Sequence, residues 1–262
     1  MRDLGRPQPA KTVSSADLAQ RSKSLFDLNT ALGWQPLHLQ VRNALLERIA
    51  AGEWAQGSPL PSEFDFAQEY GLSTGTIRKA LDWLDQSRIL VRRQGRGTFV
   101  RDQSAAETEA RYEKLCKADG SAFGDFIEKI SRAEAVADDD ECARLKVTQG
   151  ALVWRVECLR TVEGRPHILE LLSLPRVIFS NCGSGGYSLA KLAVDHGLLL
   201  GQASERVSSE LPPQWVAERL GAAPDRPMMV LDRVINTIQG KPIEWRKCYC
   251  ATPEAHYMAS ID

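Results

Sequence analysis

Leu60-Pro61-Ser62-Glu63-Phe64-Asp65-Phe66 continues through Tyr70 into Gly71-Leu72-Ser73-Thr74-Gly75-Thr76-Ile77-Arg78-Lys79-Ala80-Leu81, and this stretch decides the first half of the chain. Ser62 with Asp65 three positions on is a capping-box pattern, Phe66 and Tyr70 share a helical face, and Gly71 supplies a stop. Ser73 caps a second helix in which Ile77, Ala80, Leu81 and Leu84 form the apolar stripe of an amphipathic helix. Two helices joined by a short turn make a helix-turn-helix, whose second helix presents residues near its N-terminus to base edges in the major groove. Working back, Leu37, Val41, Leu45 and Ile49 recur every four residues before Gly52, so a preceding helix is expected to pack beneath the pair.

Working forward, Ile89-Leu90-Val91 and Thr98-Phe99-Val100 read as short strands around Gly95-Arg96-Gly97, whose glycines permit a tight turn that carries arginines outward. The expected unit is a winged helix-turn-helix. Ser73 to Arg101 holds seven Lys/Arg against two Asp/Glu, whereas Pro36 to Leu72 holds two against five. A local basic face matters more for phosphate contact than the whole-chain charge of −1. Thr74, Thr76, Arg78 and Lys79 are the candidate contacts on the second helix. Ser62, Glu63 and Ser73 at the helix starts, and Arg93, Arg96 and Gly97 in the wing, complete the set.

These motifs resemble the DNA-binding domain of GntR-family transcription regulators over about 65 residues. The resemblance implies a dimeric, usually repressing regulator whose C-terminal domain senses a small molecule. Where that family commonly carries DNA-contacting arginines, after Pro-Ser-Glu and after the Ser opening the recognition helix, this chain has Phe64 and Thr74. The operator sequence is therefore left open.

With 262 residues, 43% hydrophobic and 26% charged, there is room for two domains. No apolar run approaches the ~18 residues of a membrane span. The N-terminus lacks the apolar stretch of a signal peptide, and a cytoplasmic protein is expected. Residues 1–35 read as an arm with a sparse Leu18, Leu25, Leu28, Leu32 series, residues 36–101 as the winged domain, 102–122 as a linker, and 123–262 as an effector-binding and dimerisation domain. Tyr112, Leu115 and Cys116 suggest a short connecting helix in the linker. The six cysteines lie beyond the winged domain and none forms a CxxC pair. Cys248-x-Cys250 has no second pair or clustered histidines, so buried free thiols are expected, with redox sensing or a metal as alternatives, and no cofactor or metal is assigned.

In the second half, Ala151–Thr161 and Met228–Ile238 are β-prone runs, each preceded by a helical pattern and followed by a Gly-basic-Pro turn and a further strand. Ala143-Arg144-Leu145 through Arg160, Gly164-Arg165-Pro166 and Glu170 can be laid over Glu218-Arg219-Leu220 through Asn236, Gly240-Lys241-Pro242 and Glu244. A duplicated helix-hairpin unit predicts an α+β fold, an antiparallel sheet with packed helices. Gly183-Ser184-Gly185-Gly186 leading into a helix from Leu189 to His196 would aim free N–H groups at an anion.

Residues 123–260 resemble the UTRA effector domain of the HutC subfamily, with a chorismate-lyase-like fold, through Arg160, Gly164-x-Pro166, Glu170, Ser188-Leu189, Glu205, Gly240-x-Pro242, Glu244 and Tyr249. The resemblance implies effector binding by Arg160, Ser188, Glu170 and Glu244, with Glu205 and Tyr249 beside them. The arginine that sugar-phosphate-binding members carry two places before Arg160 is Cys158 here, which argues against a phosphorylated sugar. Arg160 can pair with a carboxylate or phosphate while the glutamates accept from hydroxyls or amines. The partners implied are double-stranded operator DNA, a small anionic effector and a second copy of the chain. An architectural DNA-binding protein without effector and a lyase-like enzyme are the alternatives. No catalytic residue is assigned, because no nucleophile-base pair is visible.

Overall fold

The computed structural model describes residues 35–102, 111–121, 126–182, 187–252 and 254–259, with backbone alone for 126–130 and 162. The Leu18 to Leu32 series and the Gly183–Gly186 loop lie outside the described residues. The chain divides into two units, one ending at Arg101 and the other beginning at Asp102.

The first unit contains α1 (Leu37–Ala50), α2 (Glu63–Tyr70), α3 (Thr74–Gln86), β1 (Leu90–Arg93) and β2 (Gly97–Val100). The Ser62–Asp65 capping box is complete, and Gly71 ends α2 in the left-handed region at φ 64°. The hydroxyl of Ser73 accepts from the Thr76 backbone N–H. Each such cap is worth about 1 kcal/mol, enough to fix where these short helices begin. Ile77, Ala80, Leu81 and Leu84 of α3 are all buried, together with Val41, Leu45 and Ile49 of α1. Leu37 departs from the expected repeat: in the first turn of α1 it is 45% exposed. β1 and β2 pair antiparallel from Leu90↔Val100 to Arg93↔Gly97. Backbone bonds from Gly57 to Val100 and from Leu60 to Thr98 tie the approach to α2 onto the wing.

The second unit is built on a six-stranded antiparallel sheet of β4 (Phe126–Val136), β5 (Leu152–Val162), β6 (Arg165–Pro175), β7 (Leu200–Glu210), β8 (Met228–Thr237) and β9 (Pro242–Cys250), in the order β4-β5-β6-β9-β8-β7. Helices α4 (Asp139–Leu145), α5 (Leu189–Asp195) and α6 (Gln214–Leu220) pack on it. The anticipated duplication is present: β4-α4-β5-β6 and β7-α6-β8-β9 meet along the central β6–β9 pair. One part of the overlay is corrected. Arg160 faces Ile168 across one hairpin and Ile235 faces Glu244 across the other, so Glu244 is the counterpart of Ile168, while Glu170 corresponds to Arg246. The β-bulge beside each turn is the same in both hairpins, so four residues on from Pro166 and from Pro242 lie Glu170 and Arg246.

Alternation along the strands sends neighbours to opposite faces. On one face Val216 and Leu220 of α6 pack against Leu169, Val230 and Tyr249, and Leu145 beside α4 packs against Val153. On the other, α5 and Tyr112 cover Val156, Cys158, Leu172 and Leu174. Leu115 covers Ile168, Leu231, Cys248 and Cys250 on a separate cluster.

The expected connecting helix is also corrected. Leu115–Cys116 form a short strand, β3, paired with β10 (His256–Tyr257) near the end of the chain. Five of the six cysteines are buried and Cys142 is half-buried, and none is joined in a disulfide. Among the described residues no helix is long and apolar enough to cross a membrane.

Gly201 sits where β7 bulges against β8. A Cβ there would lie 2.4 Å from the Thr237 carbonyl oxygen and 2.8 Å from the Ile238 Cα, both backbone atoms. The Gly201 carbonyl itself accepts from the Tyr112 hydroxyl at 2.6 Å and the Arg111 guanidinium at 2.8 Å. Gly201→Ala is therefore expected to lower unfolding free energy by about 2 kcal/mol, read from urea denaturation; an unchanged midpoint would show that β7 and β8 can part at no cost.

Candidate nucleic-acid face and effector pocket

In the first unit, Thr74, Arg78 and Lys79 are exposed at the start of α3, while Thr76 is half-buried. The Thr76 hydroxyl lies 3.0 Å from that of the N-cap Ser73, so both hydroxyls are engaged at the start of the helix. Glu63 joins the second helix to the wing: its carboxylate is 2.8 Å from Arg78 and 3.5 Å from Arg92, and Arg92 also meets Asp82 at 2.6 Å. Arg78 stays 61% exposed although Glu63 engages both its Nε and one terminal nitrogen. In the wing, Gly95 at φ 69° and Gly97 at φ 104° occupy the region L side chains avoid, which turns the chain and leaves Arg93 and Arg96 exposed. The Arg93 guanidinium lies 4.6 Å from the centre of the Phe99 ring, which limits where it points. Ser62 is tied to Asp65, its hydroxyl donating at 2.7 Å. Phe64, beside Glu63, is 61% exposed.

In the second unit, Arg160 of β5 donates to Glu170 of β6 at 2.7 Å and is paired with Glu113 at 2.5 Å. Arg246 of β9 lies 3.3 Å from both oxygens of Glu170 and grips Glu244 through two nitrogens, at 2.9 and 3.2 Å. Tyr187, just before α5, donates its hydroxyl to Glu244. Arg233 of β8 donates to Glu205 of β7 at 2.6 Å, and the Tyr257 hydroxyl donates to the same carboxylate at 2.8 Å. Glu113, Leu115, Arg160, Glu170, Glu205, Leu231, Arg233, Arg246 and Cys248 enclose a cavity of about 10 Å³, room for one water.

The electrostatics follow from this burial. Glu170 is pushed up by desolvation, but the Arg246 and Arg160 guanidinium groups hold its carboxyl below the ordinary glutamate value. Burial opposes the charge on Arg160, yet Glu170 and Glu113 more than offset it and raise its pKa. Burial, then Glu244, raises the Tyr187 phenol well above its usual range, so it donates. Burial likewise drives the Cys248 thiol well up, which makes it a poor nucleophile. One donor is left over: the buried Arg160 Nε has no hydrogen-bond partner.

Of the residues singled out in the sequence, Arg160, Glu170, Glu205 and Glu244 come together here. Ser188 instead caps α5, accepting from the Lys191 N–H at 3.1 Å, and its neighbour Tyr187 reaches the cluster. Tyr249 is packed on the opposite face, against Leu169 and Val216. Glu113, Tyr187, Arg233, Arg246 and Tyr257 were not anticipated. Arg246 had a signal, since it follows Glu244 by two on a strand and so shares its face; Glu113, in a stretch read as linker, had none. Among the described residues no group of His, Cys, Asp and Glu could hold a metal ion.

Acid should expose this network. The Glu170 pKa lies below the ordinary 4.5 in the folded chain, as does that of Glu141, which burial raises but Arg155 and Ser173 lower. Their stabilisation is complete above pH 4.5 and is lost as pH falls through the folded values. Thermal unfolding should show stability falling below about pH 4.5, with a shallower fall in Glu170→Gln; equal slopes would remove Glu170 from the acid-sensitive set.

Comparison with known proteins agrees with both halves. The sequence model described as "Bacterial regulatory proteins, gntR family" matches residues 37–100, and that of the UTRA domain matches residues 127–255. The mannosyl-D-glycerate transport/metabolism system repressor MngR of Escherichia coli K12 is 30% identical over 149 residues, which cover 56% of this chain and 62% of that protein. This chain thus spans under two thirds of that relative. The HTH-type transcriptional regulator Rv0792c of Mycobacterium tuberculosis is 28% identical, covering 83% of each chain. A solved ligand-binding domain from Bordetella bronchiseptica, assigned to the GntR-family regulators, superposes with a TM-score of 0.52 at 20% identity, covering 58% of this chain and 98% of its own, a likeness of fold. A gntR-type DNA-binding domain followed by a UTRA domain places this chain among the GntR-family bacterial transcription regulators.

Proposed function

We propose that the chain is a metabolite-responsive repressor that binds double-stranded operator DNA as a homodimer through α3 and the wing, and that an anionic small molecule held in the Arg160 pocket changes that binding. The observation that carries this reading is the pairing, in one chain, of an exposed basic helix and wing with a buried arginine pocket in a separate unit. Thr74, Thr76, Arg78 and Lys79 stand where a recognition helix meets base edges, and Arg93 and Arg96 where a wing meets the backbone. Ser62, Glu63, Ser73 and Gly97 set the geometry of those contacts. Exposed Phe64 suits a thymine methyl better than a guanine, which supports an operator of different sequence from that read by an arginine at this position. The relative MngR is named for a mannosyl-D-glycerate system, and glycerate is a carboxylate, the group that Arg160 is built to pair with. The work is done by binding rather than by catalysis, on DNA in the cytoplasm.

The test is fluorescence anisotropy of the purified protein on the DNA upstream of its own gene. Arg78→Ala should weaken specific binding by about 5- to 150-fold, the worth of one arginine at a base edge, with the melting temperature unchanged because the side chain is exposed. Full affinity in this variant would contradict the docking of α3.

A further inference from the structure

Residues 111–116 are the first stretch of the second unit described after Asp102, and they are pinned at several points. Arg111 and Tyr112 hold the Gly201 carbonyl, Leu115–Cys116 pair with His256–Tyr257, and the Lys114 carbonyl accepts from Met258 N at 2.9 Å. Between these anchors Glu113 reaches the pocket, one oxygen on Arg160 at 2.5 Å and the other accepting from the Leu115 N–H at 3.0 Å.

Three observations make this contact unlike the others in the cluster. Glu113 is the one acidic lining residue that is not on the six-stranded sheet, since Glu170 lies on β6 and Glu205 on β7. With Glu113 in place the cavity admits a single water, so no metabolite enters beside it. And Arg160, with 8% of its side chain exposed, keeps an unpartnered Nε, so Glu113 and Glu170 together do not use its full donor set.

We propose that Glu113 is an internal stand-in for a ligand carboxylate: a small carboxylate-bearing molecule binds Arg160 by expelling Glu113, and this releases the 111–116 strap. The idea rests on the reading of this pocket as the effector site. Charge favours a carboxylate over a phosphate dianion. The lining balances three arginines against three glutamates, and exchanging one carboxylate for another preserves that balance. The strap also supplies the two states that a ligand needs in order to act, because the ligand has affinity only for the strap-out arrangement. Its apparent affinity is lowered by the fraction of time the strap is in.

The side chain of Glu113 beyond its Cβ has the composition of acetate, which makes acetate the probe. In the full-length protein, Glu113→Ala should bind acetate about tenfold more tightly than the wild type, within the range usual for coupled equilibria. Binding is followed by thermal shift against sodium chloride of equal ionic strength. Added Arg160→Gln should abolish it, and inorganic phosphate should bind less well than acetate. Saturating acetate should accelerate hydrogen exchange across residues 111–116 of the wild type, and Glu113→Ala alone should weaken operator binding as the ligand does. Glu113→Gln, which keeps the bulk and loses the charge, should show the faster exchange without added acetate and covers the case in which the alanine variant fails to fold. Acetate binding through Arg160 with unaltered exchange at 111–116 would overturn the strap while leaving the pocket in place. A preference for phosphate would overturn the carboxylate assignment. Acetate binding to neither protein would remove the strap and the anion pocket together.

Discussion

A carboxylate with 3% of its side chain exposed, that of Glu170, sits on one of the two central strands of the sheet, and the second unit is arranged around keeping it charged. An unpaired charge at such a site costs several kcal/mol, so two arginines from different strands are brought to it. Arg160 comes from β5 and Arg246 from β9, the two neighbours of β6. Each arginine then needs further acceptors, which recruits Glu113 and Glu244, and Glu244 in turn takes the Tyr187 hydroxyl. The chain of partners fixes the strand register, since a slip by one residue would turn these groups to the opposite, apolar face. Burial of this kind is poor value for stability and is retained where specificity or ligand binding requires it.

The two units solve the positioning of arginines in contrasting ways. In the first, one carboxylate, Glu63, steers Arg78 and Arg92 at the surface without burying them. Such contacts are weak and easily exchanged for phosphate oxygens. In the second, the arginines of the pocket, Arg160, Arg233 and Arg246, are largely buried, which strengthens any ligand carboxylate that replaces a protein one. On the function proposed above, the same residue type serves a sequence-reading face and a ligand pocket through its exposure.

The first unit was legible in the sequence because its structure is specified locally. Ser62 with Asp65, Gly71, and Ser73 with Thr76 are interactions across three or fewer residues, and the Ile77 to Leu84 stripe lies in one helix. In the second unit the duplicated hairpins were legible from their turns, and Arg160, Glu170, Glu205 and Glu244 from their family pattern. What was missed depends on distant partners. Leu115 and Cys116 look helical by neighbourhood, but their backbone pairs with His256–Tyr257 near the far end of the chain. Glu113 gains its meaning from the same closure, and Arg233 and Tyr257 from strands that meet only in the folded sheet. The overlay matched Glu170 to Glu244 by residue type, whereas the bulges beside Arg160 and Ile235 are equivalent, keep the two hairpins in step, and pair Glu170 with Arg246.

Exposed arginines on α3 and the wing are proposed to give this chain its selectivity among DNA sequences. The direct measurement is its affinity for its own upstream DNA and for a scrambled duplex of equal length, by fluorescence anisotropy across a salt series. The account predicts tighter binding to the upstream duplex at every salt concentration, with affinity for both falling steeply as salt rises. Equal affinity for the two duplexes, or affinity indifferent to salt, would contradict it.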